Sequence, residues 1–259
     1  SRFPLKKRLN EVVATDTLFS DIASVEGYTC SQVFFGCSSR IVEVYGMKSK
    51  SEFPDVYADF MREIGIPHTL RRDNALEEDS FKVRQMNREN IVMDEYTEPK
   101  HPQQNPAELN GVKMIKERSL QLMDRVNAPK QTWSLAQRYV ADIYNITSNT
   151  QLNNKVPKEV ATGETQDISH ALLYRFFEPI YYYANEITYS SSKEEPGYFV
   201  GFAMSSGDAL TFKILKTDMR IILVRNVIRS AVNTIKKNRR VNFNKEVKNH
   251  MNQGDELIT

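Results

Sequence analysis

Three acidic residues, Asp16, Asp73 and Glu108, stand at positions where an unpaired carboxylate is costly. Asp16 falls within an apolar run with the pattern of a buried strand. Asp73 ends another strand-like run, and Glu108 falls in the first turn of an amphipathic helix. Three carboxylates brought to one point provide the oxygen ligands that Mg²⁺ prefers, and such a site polarises a phosphodiester and activates a hydroxyl. Each acid also has a purely structural interpretation: an ion pair for Asp16, a turn cap for Asp73 and a favourable helix-dipole interaction for Glu108.

The elements that must position these acids form an α/β pattern. Apolar periodicity predicts strands at 10–19, 29–37, 40–47, 68–73 and 91–96, and helices at 50–64, at 80–89, from Pro106 and from Pro129. The first strand is apolar on both faces, which is typical of a central, covered strand. The order of three strands, helix, strand, helix, strand and two helices predicts a mixed sheet flanked by helices. Glu108 shares a helical stripe with Val112 and Ile115, so we expect it to face the sheet.

The character of the chain changes near Gly163. Beyond it, four strand-like runs separated by Ser, Gly and Asp turns predict a small β-barrel. We expect a leader at 1–9, an α/β domain at 10–162, the small β-barrel at 163–230 and a loosely held basic tail at 231–259. No window approaches 18 uninterrupted apolar residues, so no membrane partner is expected. Because the sequence does not begin with Met, we expect it to be an internal piece of a longer product.

The spacing of the acids and the sequence around them resemble the D,D(35)E pattern of retroviral-type integrases. Glu108 follows Asp73 by 35 positions, and the acids stand in the words VATDT, RRDNA and YTEPKHPQQNPAE. The later runs TGETQDIS, FFEPIYYY, GYFVGFA and GDALTFKI resemble the region that follows the core in copia-type retrotransposon polyproteins, where a small barrel is found. The resemblance covers roughly residues 10 to 230.

This resemblance implies an RNase H-like integrase catalytic core at 10–162. Asp16, Asp73 and Glu108 would be both the catalytic residues and the ligands of two Mg²⁺ or Mn²⁺ ions. The protein would trim the DNA ends of a retroelement and join them to target DNA by transesterification. Its partners would be double-stranded DNA and further copies of the chain. It would be intracellular and would act in the nucleus of a eukaryotic host.

Some positions leave alternatives open. Asp21 competes with Asp16 as the first ligand, since it precedes Asp73 by 52 positions and Asp16 precedes it by 57. Placement within a strand, in an Asp-Thr pair, favours Asp16. Ala75 replaces the Gly often found after Asp-Asn in the family, and Leu109 replaces the Arg or Asn often found after the Glu. An RNase H-like nuclease and an inactive DNA-binding remnant of an integrase are the other interpretations.

The charge distribution indicates where DNA would bind. With 35 Lys and Arg against 33 Asp and Glu, the net charge of +2 is too balanced to indicate a nucleic-acid-binding protein by itself. The stretch from 229 to 250, however, is strongly basic and suits a polyanion. The expected DNA contacts are Asn105, Lys116, Arg229, Lys236 and Lys237. A merely solvated terminus is the alternative for this stretch.

Overall fold

A computed structural model provides the structure of the 259-residue chain. It describes residues 7–72, 80–96, 107–183, 192–203, 211–225, 228–233, 237–241 and 243, without the side chains of residues 108, 109 and 225. Three of the predicted site residues, Asp73, Asn105 and Lys236, lie outside the described residues. None of the helices in the described segments combines the length and the apolar character that crossing a membrane requires.

The first five strands form one mixed sheet. Their bounds are β1 Arg8–Phe19, β2 Cys30–Gly36, β3 Val42–Met47, β4 Ile66–Arg72 and β5 Met93–Tyr96. The order across the sheet is β3-β2-β1-β4-β5, in which β1, β2 and β3 pair antiparallel while β4 runs parallel to both β1 and β5. The central position of β1 explains why both of its faces carry apolar residues. The predicted mixed sheet is confirmed.

Five α-helices accompany the strands in the described part of the chain. Their bounds are α1 Phe53–Glu63, α2 Phe81–Asn90, α3 Lys113–Val126, α4 Trp133–Ile146 and α5 Pro157–Thr162. The Ser80 side chain accepts a hydrogen bond from the Val83 N–H and so caps the start of α2. A π-helical turn, Ala107–Val112, precedes α3, where the sequence predicts a regular helix opening at Pro106. Such turns are rare and occur frequently at functional sites.

Aromatic side chains fill the core between β2 and α1. The Phe34 ring of β2 lies 4.6 Å from the ring of Phe60 and 6.2 Å from the rings of Phe53 and Tyr57, all three on α1. All four side chains are fully buried, and burial of such large rings is among the strongest favourable contributions to folding. This packing places α1 on one face of the sheet and leaves the opposite face for other elements.

A side chain covers the edge of the sheet at β3. The buried Asn145 amide of α4 accepts a hydrogen bond from the Val42 N–H at 2.9 Å and donates to the Val42 carbonyl at 2.7 Å. It also lies 3.1 Å from the Glu43 carboxylate, to which it donates. Asn145 therefore pairs with the backbone of β3 as a further strand would, and satisfies groups that an edge leaves open.

The remaining strands form an antiparallel sheet. Their bounds are β6 Pro179–Tyr183, β7 Glu194–Phe202, β8 Thr211–Lys216, β9 Ile221–Arg225 and β10 Ile228–Ser230. The order is β10-β6-β7-β8-β9. The rings of Phe199, Phe202 and Phe212 pack with those of Tyr139 and Tyr174. This sheet fits the small all-β region that the sequence predicts, and its closure into a barrel stays a prediction.

The chain divides into two compact units. The first comprises Ser1–Gln121 and Val140–Gln166, and the second comprises Leu122–Tyr139 and Asp167–Thr259. The mixed sheet belongs to the first unit and the antiparallel sheet to the second. The domain limits expected from the sequence stay a prediction.

The C-terminus of α2 provides a test of backbone strain. Ile91 has a φ of 54°, in the left-handed region that β-branched residues rarely adopt, and its side chain is 78% exposed. Replacing Ile91 with Gly should raise the free energy of unfolding by about 1 kcal/mol, because Gly adopts this conformation without a steric cost. Chemical denaturation measures the change. I91V keeps the branched Cβ and should show no gain, whereas an I91G protein no more stable than wild type would contradict the prediction.

Candidate active site

Asp16 lies on β1 with its side chain directed away from α1. In the antiparallel ladder Thr15 pairs with Phe34, which faces α1, and Asp16 pairs with Val33. Because successive residues of a strand face opposite sides, Asp16 and Val33 share the face that α1 does not cover. The Asp16 carboxylate is half-buried, and its Oδ1 accepts a hydrogen bond from the Thr17 N–H at 2.8 Å.

The π-helical turn that contains Glu108 packs on this same face. The turn contacts both β1 and β2. Gly111 approaches β2 so closely that a Cβ on it would lie 3.2 Å from Val33 Cγ1 and 3.4 Å from Phe35 Cβ. Glycine therefore permits the approach, and the turn lies beside the cross-strand neighbour of Asp16. The Glu108 side chain is outside the description, so the structure brings the backbone of Glu108, and not its carboxylate, to this face.

Arg40 connects the β2–β3 turn to the π-helical turn. Its guanidinium donates to Asn110 Oδ1 at 3.2 Å and lies 5.2 Å from the centre of the Phe35 ring. Arg40 has a φ of 58°, a left-handed conformation in which a non-glycine residue is strained. Since Phe35 shares the face of Val33, Arg40 places a positive charge on the side of the sheet where Asp16 projects.

β4 runs beside β1 towards the second predicted acid. In the parallel ladder Val13 pairs with Leu70 and Ala14 pairs with Arg71. Asp16 follows Ala14 by two positions, as Asp73 follows Arg71. Asp73 itself lies outside the described residues, so its approach to Asp16 stays a prediction.

Arg72, directly before Asp73, is a fully buried cation that the sequence interpretation missed. Its Nη2 donates to Asp94 Oδ1 at 2.8 Å and to Tyr96 Oη at 2.9 Å. The Asp94 side chain is 27% exposed, so the buried cation reaches its partner where the core meets the surface. A buried charge of this kind is tolerated only when it is paired and hydrogen-bonded. The signal that could have revealed it is the alternation of β4, which puts Arg72 on the same face as the buried Leu70.

The Arg72–Asp94 pair belongs to a longer chain of hydrogen bonds through the core. Asn87 Nδ2 donates to Asp94 Oδ1 at 2.8 Å, and Tyr57 Oη donates to Asn87 Oδ1 at 2.9 Å. Burial raises the pKa of Tyr57 above its ordinary value, and the Asp94 carboxylate raises it further, so the phenol remains a donor. These hydrogen bonds connect α1 and α2 to β5 and to the end of β4.

The predicted DNA contacts that the structure describes differ in their surroundings. Lys116 is exposed on α3 and Lys237 is exposed in the tail. Arg229 instead pairs with Glu194, at 2.6 Å from Oε1 and 2.7 Å from Oε2, and its guanidinium lies 4.5 Å from the centre of the Tyr181 ring. The hydrogen bonds from Arg229 hold the pKa of Glu194 below its ordinary value. DNA contact by these residues stays a prediction.

The described part of the tail is attached to the second sheet. Asn238 Nδ2 donates to Glu194 Oε2 at 2.9 Å. The Phe243 ring lies 5.3 Å from the ring of Tyr181 and 6.0 Å from the ring of Tyr198, both on strands of that sheet. A polar and an aromatic side chain of the tail therefore find partners on this sheet. The loosely held tail expected from the sequence stays a prediction.

The expected metal site involves more than the described side chains. In the segments that the structure describes, no group of three or more His, Cys, Asp or Glu side chains is placed to hold a metal ion. Asp73 and the side chain of Glu108 are not in those segments. Of the predicted three acids, the structure thus places the Asp16 carboxylate and the Glu108 backbone on one face, and the shared metal site stays a prediction.

Comparison with known proteins yields structural neighbours and no sequence relative. No family model and no curated protein matches the chain. A chain of the simian T-cell lymphotropic virus intasome, solved in complex with PP2A regulatory subunit B56 gamma, is similar at a TM-score of 0.50 and 14% identity, over 90% of this chain and 82% of that one. The HTLV-2 integrase catalytic core domain, solved with magnesium in a trimeric form, is similar at a TM-score of 0.47 and 16% identity, over 61% of this chain and 98% of that one. The catalytic core domain of BIV integrase is similar at a TM-score of 0.47 and 12% identity, over 59% of this chain and 93% of that one.

The chain has an integrase-like fold. The intasome chain matches most of its length, and the predicted fold class, a mixed sheet flanked by helices with a small β region after it, is confirmed. An identity of 14% shows the fold alone. The copia-type assignment therefore still depends on the sequence motifs.

The two acids that pair with the neighbouring arginines of β4 allow a matched test of the Arg72–Asp94 pair. Asp94→Asn removes the negative charge beside the fully buried Arg72; because the Asp94 side chain is itself 27% exposed, the change should lower the free energy of unfolding by about 2 kcal/mol. Glu95→Gln is the control, because Glu95 pairs with Arg71 where the two side chains are 45% and 24% exposed, and it should cost less than about 1 kcal/mol. Urea denaturation measures both, and equal losses would contradict the importance of the Arg72–Asp94 pair.

Proposed function

We propose that the protein is a metal-dependent polynucleotidyl transferase, a DDE-type integrase that trims the DNA ends of a retroelement and joins them to target DNA. The observation that carries the proposal is the packing of the π-helical turn containing Glu108 against Val33, the cross-strand neighbour of Asp16. The integrase-like fold supports the same reaction class. The copia-type retrotransposon origin is part of the proposal and rests on the motifs around the three acids and after the core.

The register of β1 and β4 supports the second acid. Ala14 pairs with Arg71, and Asp16 and Asp73 follow these two residues by the same number of positions. The carboxyl ends of neighbouring parallel strands open at the same edge of a sheet, where α/β proteins commonly place their sites. We therefore propose that Asp73 is the second acid of the site, beside Asp16.

The donor chemistry of the three acids fits Mg²⁺ or Mn²⁺. The half-buried Asp16 presents hard carboxylate oxygen on the face that it shares with Val33, and further carboxylates converging there would repel it without a bound cation. Asp16, Asp73 and Glu108 would hold the ions, which when bound polarise the phosphodiester and activate the attacking water or 3′-hydroxyl. The chain itself supplies position: the Thr17 N–H orients the Asp16 carboxylate, and Gly111 lets the Glu108 turn approach β2.

The basic tail supports a role in holding DNA. Lys237, Arg239 and Arg240 are exposed, and Asn238 between them attaches this stretch to Glu194. Phosphate contacts carry no sequence information, so such a stretch suits both the element end and the target. Further proposed contacts are Asn105, Lys116, Arg229 and Lys236. The concerted joining of two DNA ends would use more than one copy of the chain, and in a eukaryotic host the reaction would take place in the nucleus.

A strand-transfer assay tests the proposed activity. The protein is incubated with an element-end oligonucleotide, plasmid DNA and Mn²⁺, and the joined product is quantified. D16N, D73N and E108Q should each lower joining by at least about 10²- to 10³-fold, because each removes a charged ligand that acts on the transition state while side-chain size is kept.

Matched variants distinguish the alternatives. D124N changes an exposed acid on α3 and should leave joining at the wild-type rate. Loss of joining in D21N and not in D16N would transfer the role of first ligand to Asp21. Cleavage of an RNA–DNA hybrid without joining would favour the nuclease, and DNA binding without any metal-dependent reaction would favour the inactive remnant. Joining that survives D73N would contradict the proposed site.

Salt-dependent DNA binding tests the tail. Replacing Lys237, Arg239 and Arg240 together with Gln should reduce the slope of log affinity against log salt by about 3, close to one unit for each lost phosphate contact. Fluorescence anisotropy with labelled duplex DNA at several salt concentrations gives the slope. R229Q is the comparison, and we expect a smaller change because Glu194 already pairs with that charge. An unchanged slope in the triple variant would remove the tail from the proposed DNA surface.

A further inference from the structure

Gln32 is a polar residue at the centre of an apolar strand. Its side chain is fully buried in β2, where the next residues along the strand, Val33, Phe34 and Phe35, are apolar and buried. A buried amide is unfavourable unless its donors and acceptor are hydrogen-bonded. The hydrogen bonds of Gln32 therefore indicate what the residue does.

Both ends of the Gln32 amide are bonded to β1. Its Nε2 donates to Thr15 Oγ1 at 2.7 Å, and its Oε1 accepts from Thr17 Oγ1 at 2.8 Å. Thr15 Oγ1 in turn donates to the Val33 carbonyl at 3.0 Å. One amide thus binds the two residues on either side of Asp16, on the face of the sheet opposite to the Asp16 side chain.

The hydrogen bonds continue from Gln32 to the carboxylate. Thr17 uses its hydroxyl to donate to Gln32 and its backbone N–H to donate to Asp16 Oδ1 at 2.8 Å. Gln32 therefore fixes the Thr17 side chain on one face of the sheet, and the Thr17 N–H binds the Asp16 carboxylate, which projects from the other face. A path of three residues, Gln32, Thr17 and Asp16, links the buried amide to the proposed metal ligand.

We infer that Gln32 is a positioning residue for Asp16 and that it acts through Thr17. The inference rests on the proposed function, since it concerns the geometry of one acid of that site. Packing alone does not require this arrangement, because an apolar side chain of similar length would fill the same volume without needing two partners. Residues that orient metal ligands in this way commonly change metal affinity by about 10- to 100-fold when they are replaced.

The test compares variants that keep shape and differ in hydrogen bonding. Gln32→Met keeps the length of the side chain and removes both bonds to β1. Thr17→Val removes the hydroxyl, and Thr17→Ser keeps it. Val83→Ala, in the core of the same unit, controls for a general loss of stability.

The first measurement needs no metal. NMR of the full chain reports the exchange rate and chemical shift of the Thr17 backbone amide, and D16N shows the values when the carboxylate is absent. Gln32→Met should move both towards the D16N values, whereas Val83→Ala should keep the wild-type values. A Thr17 amide unchanged in Gln32→Met would overturn the inference.

The second measurement is thermal melting in increasing Mg²⁺. Gln32→Met and Thr17→Val should need about tenfold more Mg²⁺ for half of the stabilisation, while Thr17→Ser and Val83→Ala should keep the wild-type midpoint. A wild-type midpoint in Thr17→Val would overturn the inference. If Gln32→Met fails to fold, the comparison of Thr17→Val with Thr17→Ser decides it. If the melting temperature of the wild-type protein does not change with Mg²⁺, this counts against the proposed function. The metal-free measurement on the Thr17 amide then still decides the role of Gln32.

Discussion

Hydrogen bonding of β1 to β2 on one side and to β4 on the other is the constraint on which the candidate site depends. The antiparallel ladder sets Val33 opposite Asp16, and the parallel ladder sets Arg71 beside Ala14. Alternation along β1 then separates the residues that build the core with α1 from those that face the π-helical turn. A shift of β1 by one residue would exchange these two sets. Because core burial strongly favours one register, it also determines where the candidate acid projects.

The first unit buries several polar side chains, and each finds specific partners. Glu11, which is 7% exposed, accepts hydrogen bonds from the backbone N–H groups of Ser38 and Ser39 at 2.8 Å. Arg72 is bonded to Asp94, and Gln32 to two threonines. Buried polar groups contribute less to stability than apolar packing of the same volume, but they restrict geometry more narrowly when they are satisfied. Their presence on β1, β2 and β4 suits a site whose carboxylates need defined positions.

In the second unit, one basic residue forms a close ion pair and three others are exposed to solvent. Arg229 and Glu194 form a close ion pair that is partly shielded by Tyr181, so little of the charge on Arg229 acts at a distance. Lys237, Arg239 and Arg240 are exposed on a stretch that Asn238 attaches to the same Glu194. Attachment lowers the conformational entropy that these cations would lose on meeting a polyanion. The density of basic residues in the sequence identified the region, but only the structure shows that Glu194 engages Arg229, whereas Lys237, Arg239 and Arg240 are exposed.

The sequence by itself determined the mixed sheet, most strand positions, the Ser80 start of α2 and the acid on an otherwise apolar face of β1, because periodicity, caps and turns are local signals. It also supplied the spacing of the three acids, whose convergence stays a prediction at Asp73 and at the Glu108 side chain. Only the tertiary structure decided the partners of the buried polar groups. Arg72 meets Asp94 across 22 positions, Thr17 meets Gln32 across 15, and Arg229 meets Glu194 across 35. A polar residue in a strand has the same local pattern whether it is solvated or paired, since its partner is chosen by the register and packing of another element.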